Sequence, residues 1–300
     1  NRQNGSEEEY QKNLAKIAHL EEVVRDKLLE ADEVYVIYSQ LTGEPYMFSK
    51  TYDRGDDGYL CTNPLIHLST SRWYHHYKET FDSQPNTQVR RIENTEEKEA
   101  IKNLLGSAFY LNGALGIIMN SDDVCIKAQS LVEKPDFSNL PEIQVPVMNP
   151  DVVRWLLLLG QLGKPDTEDK QLVDRLYYGF LSKAVPKAKF LIPVRRGENF
   201  PEASDEAKEV MLERGASLDL PVREGKEGRQ AISLFTDWKR LRMVFDEEWS
   251  GMIEPAGNMI AMFDYIVNGT EYLKAGCYIS QDSFKEMEKI SAELNDAPKQ

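Results

Sequence analysis

The chain has 300 residues, 41% of them hydrophobic, and 50 acidic side chains against 36 basic ones, for a formal charge of −14. The length fits one large or two ordinary domains, and the apolar fraction is too high for a disordered chain. The acidic balance argues against nucleic acid and anionic lipid as partners, since both need clustered Lys and Arg.

Over residues 7–31, Tyr10, Leu14, Ile17, Leu20 and Leu28 recur near helical spacing among charged residues, which predicts a helix. Residues 34–38 are β-branched and aromatic, so a strand comes next. Thr42-Gly43-Glu44-Pro45 reads as a turn, with 46–48 as the returning strand. Residues 59–61 and 65–68 read as a further strand pair, broken at Asn63-Pro64. Ser69, Thr70 or Ser71 caps a helix over 72–81. Residues 88–92 read as a strand. Asn94 or Thr95 then caps a helix with Glu96 and Glu97 in its first turn, where the dipole favours acids. Residues 115–119 form a strand, with 124–126 returning beside it.

Pro135, Pro141 and Pro146 interrupt a stretch of little periodicity, which marks 134–148 as a linker. Helices are expected from Pro150 to about residue 159 and over 168–182. A strand at 190–194 precedes a polar excursion with a helical piece at 205–214. Residues 218–222 and 231–235 read as a hairpin, and Thr236 or Asp237 caps a helix at 239–246. A short strand begins at Met252-Ile253, 259–267 is expected to be helical, 275–279 is the last strand and 281–294 a terminal helix.

Set side by side, the halves repeat an order of elements. Residues 28–37 parallel 180–192 as helix, break and strand. Residues 66–70 parallel 232–236, each leading into an aromatic helix bearing Trp73 or Trp238. Residues 115–120 are matched with 275–280. The fold class expected is α+β: two tandem similar units, each a small mixed β-sheet with packed helices, at 1–133 and 149–300.

Within residues 228–238, and again at 276–280, the chain resembles the SseB family. Its units read as a strand with a Pro-Val-like step (Ile192-Pro193-Val194 or Leu220-Pro221-Val222), a hairpin, a Phe-Thr before a helix (Phe235-Thr236-Asp237), and a final Gly-containing strand. The resemblance covers about 180–284. A weaker echo runs over 28–126, where Ser69-Thr70 replaces the Phe-Thr pair. It implies an α+β domain and no established catalytic residues. The family takes its name from an enhanced serine sensitivity phenotype.

Chemistry-bearing residues are sparse. Cys61, Cys125 and Cys277 are far apart and odd in number, and they read as buried thiols of a reducing, cytoplasmic compartment. His75 and His76 point about 100° apart on a helix and do not readily share a metal, even with His67. No metal or cofactor is expected. H-E-x-x-H, P-loop, G-x-G-x-x-G and G-x-S-x-G patterns are all absent. Asp246-Glu247-Glu248 reads as a solvated run, and the apolar run 155–159 is too short to span a membrane. The chain starts at Asn1, which leaves an upstream targeting segment open.

One junction remains as a candidate ligand site. Thr236, Asp237 and Trp238 sit where a strand meets a helix, and helix N-termini hold anions, with Arg229 adding charge if it lies on that side. The blander alternative is a plain cap with Trp238 packed over it. Three functions are expected, in order. The first is a non-catalytic interaction or regulatory protein of a bacterial cytosol, with a protein partner or self-association. The second is a binder of an amino acid-like molecule, and the third an enzyme of unknown type, such as a hydrolase.

Overall fold

The chain opens with a 23-residue helix, α1 (Glu7–Leu29), whose only buried residue is Leu28. The structure, a computed structural model, describes residues 7–120, 124–141, 144–197, 217–269 and 273–296. The chain divides into two units, Asn1–Asn139 and Leu140–Gln300, so the division falls inside the proline-bearing stretch 134–148. The helical piece expected at 205–214 lies outside the described residues.

In the first unit α1 leads into β1 (Glu33–Ser39), then β2 (Met47–Phe48), β3 (Thr51–Asp53), β4 (Tyr59–Cys61) and β5 (Leu65–Ser69). Then come α2 (Tyr74–Phe81), β6 (Thr87–Glu93), α3 (Ala100–Gly106), β7 (Gly116–Met119), β8 (Cys125–Lys127) and α4 (Ala128–Leu131). The sheet order is β6-β1-β5-β7-β8, with β2 beside β5 and a separate β3–β4 ribbon. Only the β5–β7 pairing is parallel in that sheet. Val34, Val36, Ile37, Ile66, Leu68 and Ile117 are fully buried. β1 is buried at six of its seven positions, so both of its faces are covered.

The second unit opens on α5 (Pro150–Leu162) and α6 (Glu168–Ala184), which Thr167 caps through its side chain. β9 (Lys189–Arg196), β10 (Leu218–Asp219), β11 (Val222–Glu224) and β12 (Gln230–Leu234) come next. The chain continues through α7 (Trp238–Arg242), β13 (Ser250–Pro255), β14 (Asp264–Val267), β15 (Cys277–Ile279) and α8 (Gln281–Asp296). β9 pairs with β13 and β10, and β12 with β11 and β14, which in turn pairs with β15. Mutual backbone bonds between Leu191 and Phe235, 2.9 and 2.8 Å, join β9 to the end of β12. Leu156, Leu181, Phe190, Ile232, Tyr265, Ile279 and Phe284 meet in one core between the sheet and α5, α6 and α8.

Several expectations are corrected. Residues 264–267 are a strand, not part of a helix: Tyr265-Ile266-Val267 pairs in parallel with β12, and Tyr265 and Val267 are buried. The hairpin is β11–β12 alone, because Pro221 breaks the preceding run and Leu218-Asp219 pairs with β9 instead. The helix after Asn94 starts only at Ala100, since Lys98 adopts a left-handed φ of 57°. Cys125 is exposed rather than buried, and the thiols are unpaired. α7 is only five residues long.

Candidate functional site

The junction expected as a ligand site is built at the C-terminal end of β12. Phe235 is wholly buried against Leu241 and Leu273, which turns Thr236 and Asp237 inward. The Asp237 side chain caps α7 by accepting from the Arg240 amide at 3.0 Å. Its other oxygen accepts from Arg240 Nη1 at 2.6 Å and from the Thr236 hydroxyl at 2.8 Å. Asn268, just past β14, accepts from the Thr236 amide at 3.2 Å and donates to the Thr236 hydroxyl at 2.9 Å. Asn149 donates to the Thr236 and Lys189 carbonyls, 2.9 and 2.7 Å.

All four central side chains are 5% exposed or less. Their polar groups answer one another, so burial carries no unpaired charge here. The arrangement is a cross-brace that ties the ends of the parallel strands β12 and β14 to α7. Trp238 is half-buried, stacked under the Arg242 guanidinium at 5.3 Å and packed where Gly251 leaves room.

Arg229 is elsewhere. It precedes β12, so six residues of extended chain, 230–235, separate it from Thr236, roughly 20 Å. Its Nε donates to buried Asp264 at 2.9 Å. The Tyr278 hydroxyl (2.5 Å) and the Gln281 amide (3.2 Å) donate to the same carboxylate. Burial works to raise the Asp264 pKa, but these donors, Tyr278 and Arg229 foremost, hold it below the usual carboxylate range. The structure thus brings Thr236, Asp237 and Trp238 together and leaves Arg229 at the other end of the strand. The sequence reading missed Arg240 and Asn268. The one signal for Asn268 was Asn-Gly after an apolar run, which reads as a turn.

A similar Thr–Asn brace occurs in the first unit. The Asn120 side chain, just past β7, accepts from the Thr70 amide at 3.1 Å and from the Thr70 hydroxyl at 3.3 Å. Both asparagines take left-handed backbone, φ 55° and 49°. Each also donates its backbone amide to a carbonyl of the neighbouring parallel strand, Asn120 to Leu68 at 2.8 Å and Asn268 to Leu234 at 2.9 Å.

The matched span in the second unit begins at the first residue of α6 and ends within β14, with Thr236, Asp237 and Arg240 inside it and Asn268 two residues beyond it. Residues 168–266 match the SseB protein N-terminal domain. The SseB match covers a third of the chain and lies wholly in the second unit, in agreement with the resemblance read around Phe235-Thr236-Asp237. In this chain Thr236 and Asp237 of the Phe-Thr-Asp run are part of the buried brace just described. Searches of curated proteins and of solved structures find no match to the chain.

Proposed function

We propose that this is a non-catalytic interaction or regulatory protein, built from two copies of one SseB-like unit, which acts from the cytoplasm by docking a helix of a partner or of a second copy. The observation that carries the docking role is α1. Leu14, Ile17 and Leu20 are 42%, 52% and 61% exposed on a helix whose charged residues lie between them. A row of large apolar side chains left in water at helical spacing fits helix-to-helix or helix-in-groove recognition.

Support for two copies comes from the strand order. β6-β1-β5-β7-β8 corresponds to β13-β9-β12-β14-β15, with the same parallel pair at the centre and β2 or β11 alongside its first strand. The register differs from the sequence reading in one place: β7 corresponds to β14, and β8 to β15. The unpaired thiols support a reducing compartment.

The test is sedimentation equilibrium over a range of concentrations together with isolation under native conditions. Reversible association or a recurrent partner is expected. A monomer that repeatedly comes out alone would sink the proposal.

A further inference from the structure

The two faces of β5 differ. Ile66 and Leu68 are fully buried on one, while Leu65 and His67 lie on the other. Strand pairing sets Phe48 opposite Leu65, Ile118 opposite His67 and Cys125 opposite Ile118, so this second face continues across four strands. α2 roofs it incompletely. Between helix and sheet lies a cavity of about 510 Å³, lined among others by Phe48, Lys50, His67, Tyr77, Thr80 and Phe81. That volume is within the range of small-molecule sites, roughly 300–1,000 Å³.

His67 stands in a wall of rings. Its centroid is 4.1 Å from Phe48, 6.3 Å from Phe81 and 6.4 Å from Tyr77. Burial lowers its pKa to about 4, so the imidazole is neutral near pH 7. A neutral imidazole offers one donor and one acceptor, yet His67 makes no hydrogen bond among the described residues. The wall is held in place: the Tyr77 hydroxyl donates to the Asn120 carbonyl, and Asn120 is braced by Thr70. Ser233 occupies the matching position in β12, where the packing is closed at 1% exposure. Among the described residues, the cavity's lining includes Lys50 at the rim and no carboxylate.

We propose that this cavity binds a flat aromatic molecule bearing one negative group, with its ring among Phe48, His67 and Phe81, its polar edge on His67 and its anion toward Lys50. Aromatic rings favour offset stacking in such a wall, and the half-buried imidazole has a donor and an acceptor to offer a ligand's polar edge. The proposal concerns the first unit alone and does not depend on α1 docking.

The test is NMR titration of the full chain with indole-3-acetate, nicotinate and adenosine monophosphate, with indole and acetate as separate controls. At least one of the three anions is expected to shift the His67 and Phe81 ring signals at submillimolar concentration, more tightly than either control. His67→Phe keeps the ring and removes the polar edge, and is expected to weaken binding roughly tenfold. Thr80→Trp is expected to plug the cavity and abolish it. Lys50→Glu, at an exposed rim position, weakens binding without touching the core. Unmoved ring signals with all three anions at millimolar concentration would overturn the proposal, as would undiminished binding in Lys50→Glu and His67→Phe.

Discussion

Asp237 shows how a residue that reads as a ligand contact is a structural one. Its two oxygens serve a helix amide, a guanidinium and a hydroxyl, and it is 1% exposed. Removing one partner of a buried ion pair leaves the other uncompensated, so Asp237→Ala is expected to destabilise the second unit by about 3–5 kcal/mol in denaturant unfolding. A loss below about 1 kcal/mol would place the pair in the class of exposed bridges and refute the brace. Asp264 contributes to the pH dependence of the same unit. Its folded pKa is lowered, so its contribution is present above the unfolded pKa and is lost as pH falls through the folded value. Thermal melts should therefore show wild type falling faster than Asp264→Asn on acidification below about pH 4. A constant gap between the two proteins across that range would contradict this.

At the scale of elements, the long periodic segments were legible. α1, α6 and α8, and the strands β1 and β9, arise from apolar spacing that local and tertiary forces both favour. β14 was not legible, because Met259 to Val267 carries apolar residues at a spacing that suits a helix as well as a strand, and only pairing with β12 decides it. The candidate site was half legible. Thr236-Asp237 announces a cap, but Arg240 and Asn268 come from three and thirty-two residues away and meet it only in three dimensions. α1 is the converse case: its periodicity predicts the helix correctly, yet three of the five residues in its apolar row, Leu14, Ile17 and Leu20, are in water. Because Leu14, Ile17 and Leu20 are exposed, replacing all three with Glu is expected to leave the melting temperature within about 2 °C of wild type. A much larger drop would mean that the row packs within the chain.

Across the whole molecule, one parallel strand pair closed by a Thr–Asn brace occurs in each unit. If the braces are equivalent, Asn120→Ala and Asn268→Ala should each cost about 1–3 kcal/mol, the desolvation cost of a buried amide left unpaired. The larger loss is expected at Asn268, where the brace is sealed. Calorimetry of the two variants checks this, and a neutral Asn120→Ala would separate the units. The brace is closed over by Asp237 and α7 in the second unit, while in the first it borders the His67 cavity. A Thr–Asn brace is thus sealed in one unit and borders an open space in the other.

The docking role of α1 is tested most directly by sedimentation equilibrium on wild type and on the Leu14→Glu, Ile17→Glu, Leu20→Glu triple variant, each alone and with any partner recovered natively. Association by wild type that the equally stable variant lacks is the expected result. Association unchanged in the variant, or a wild-type chain that stays monomeric and partnerless, would contradict it.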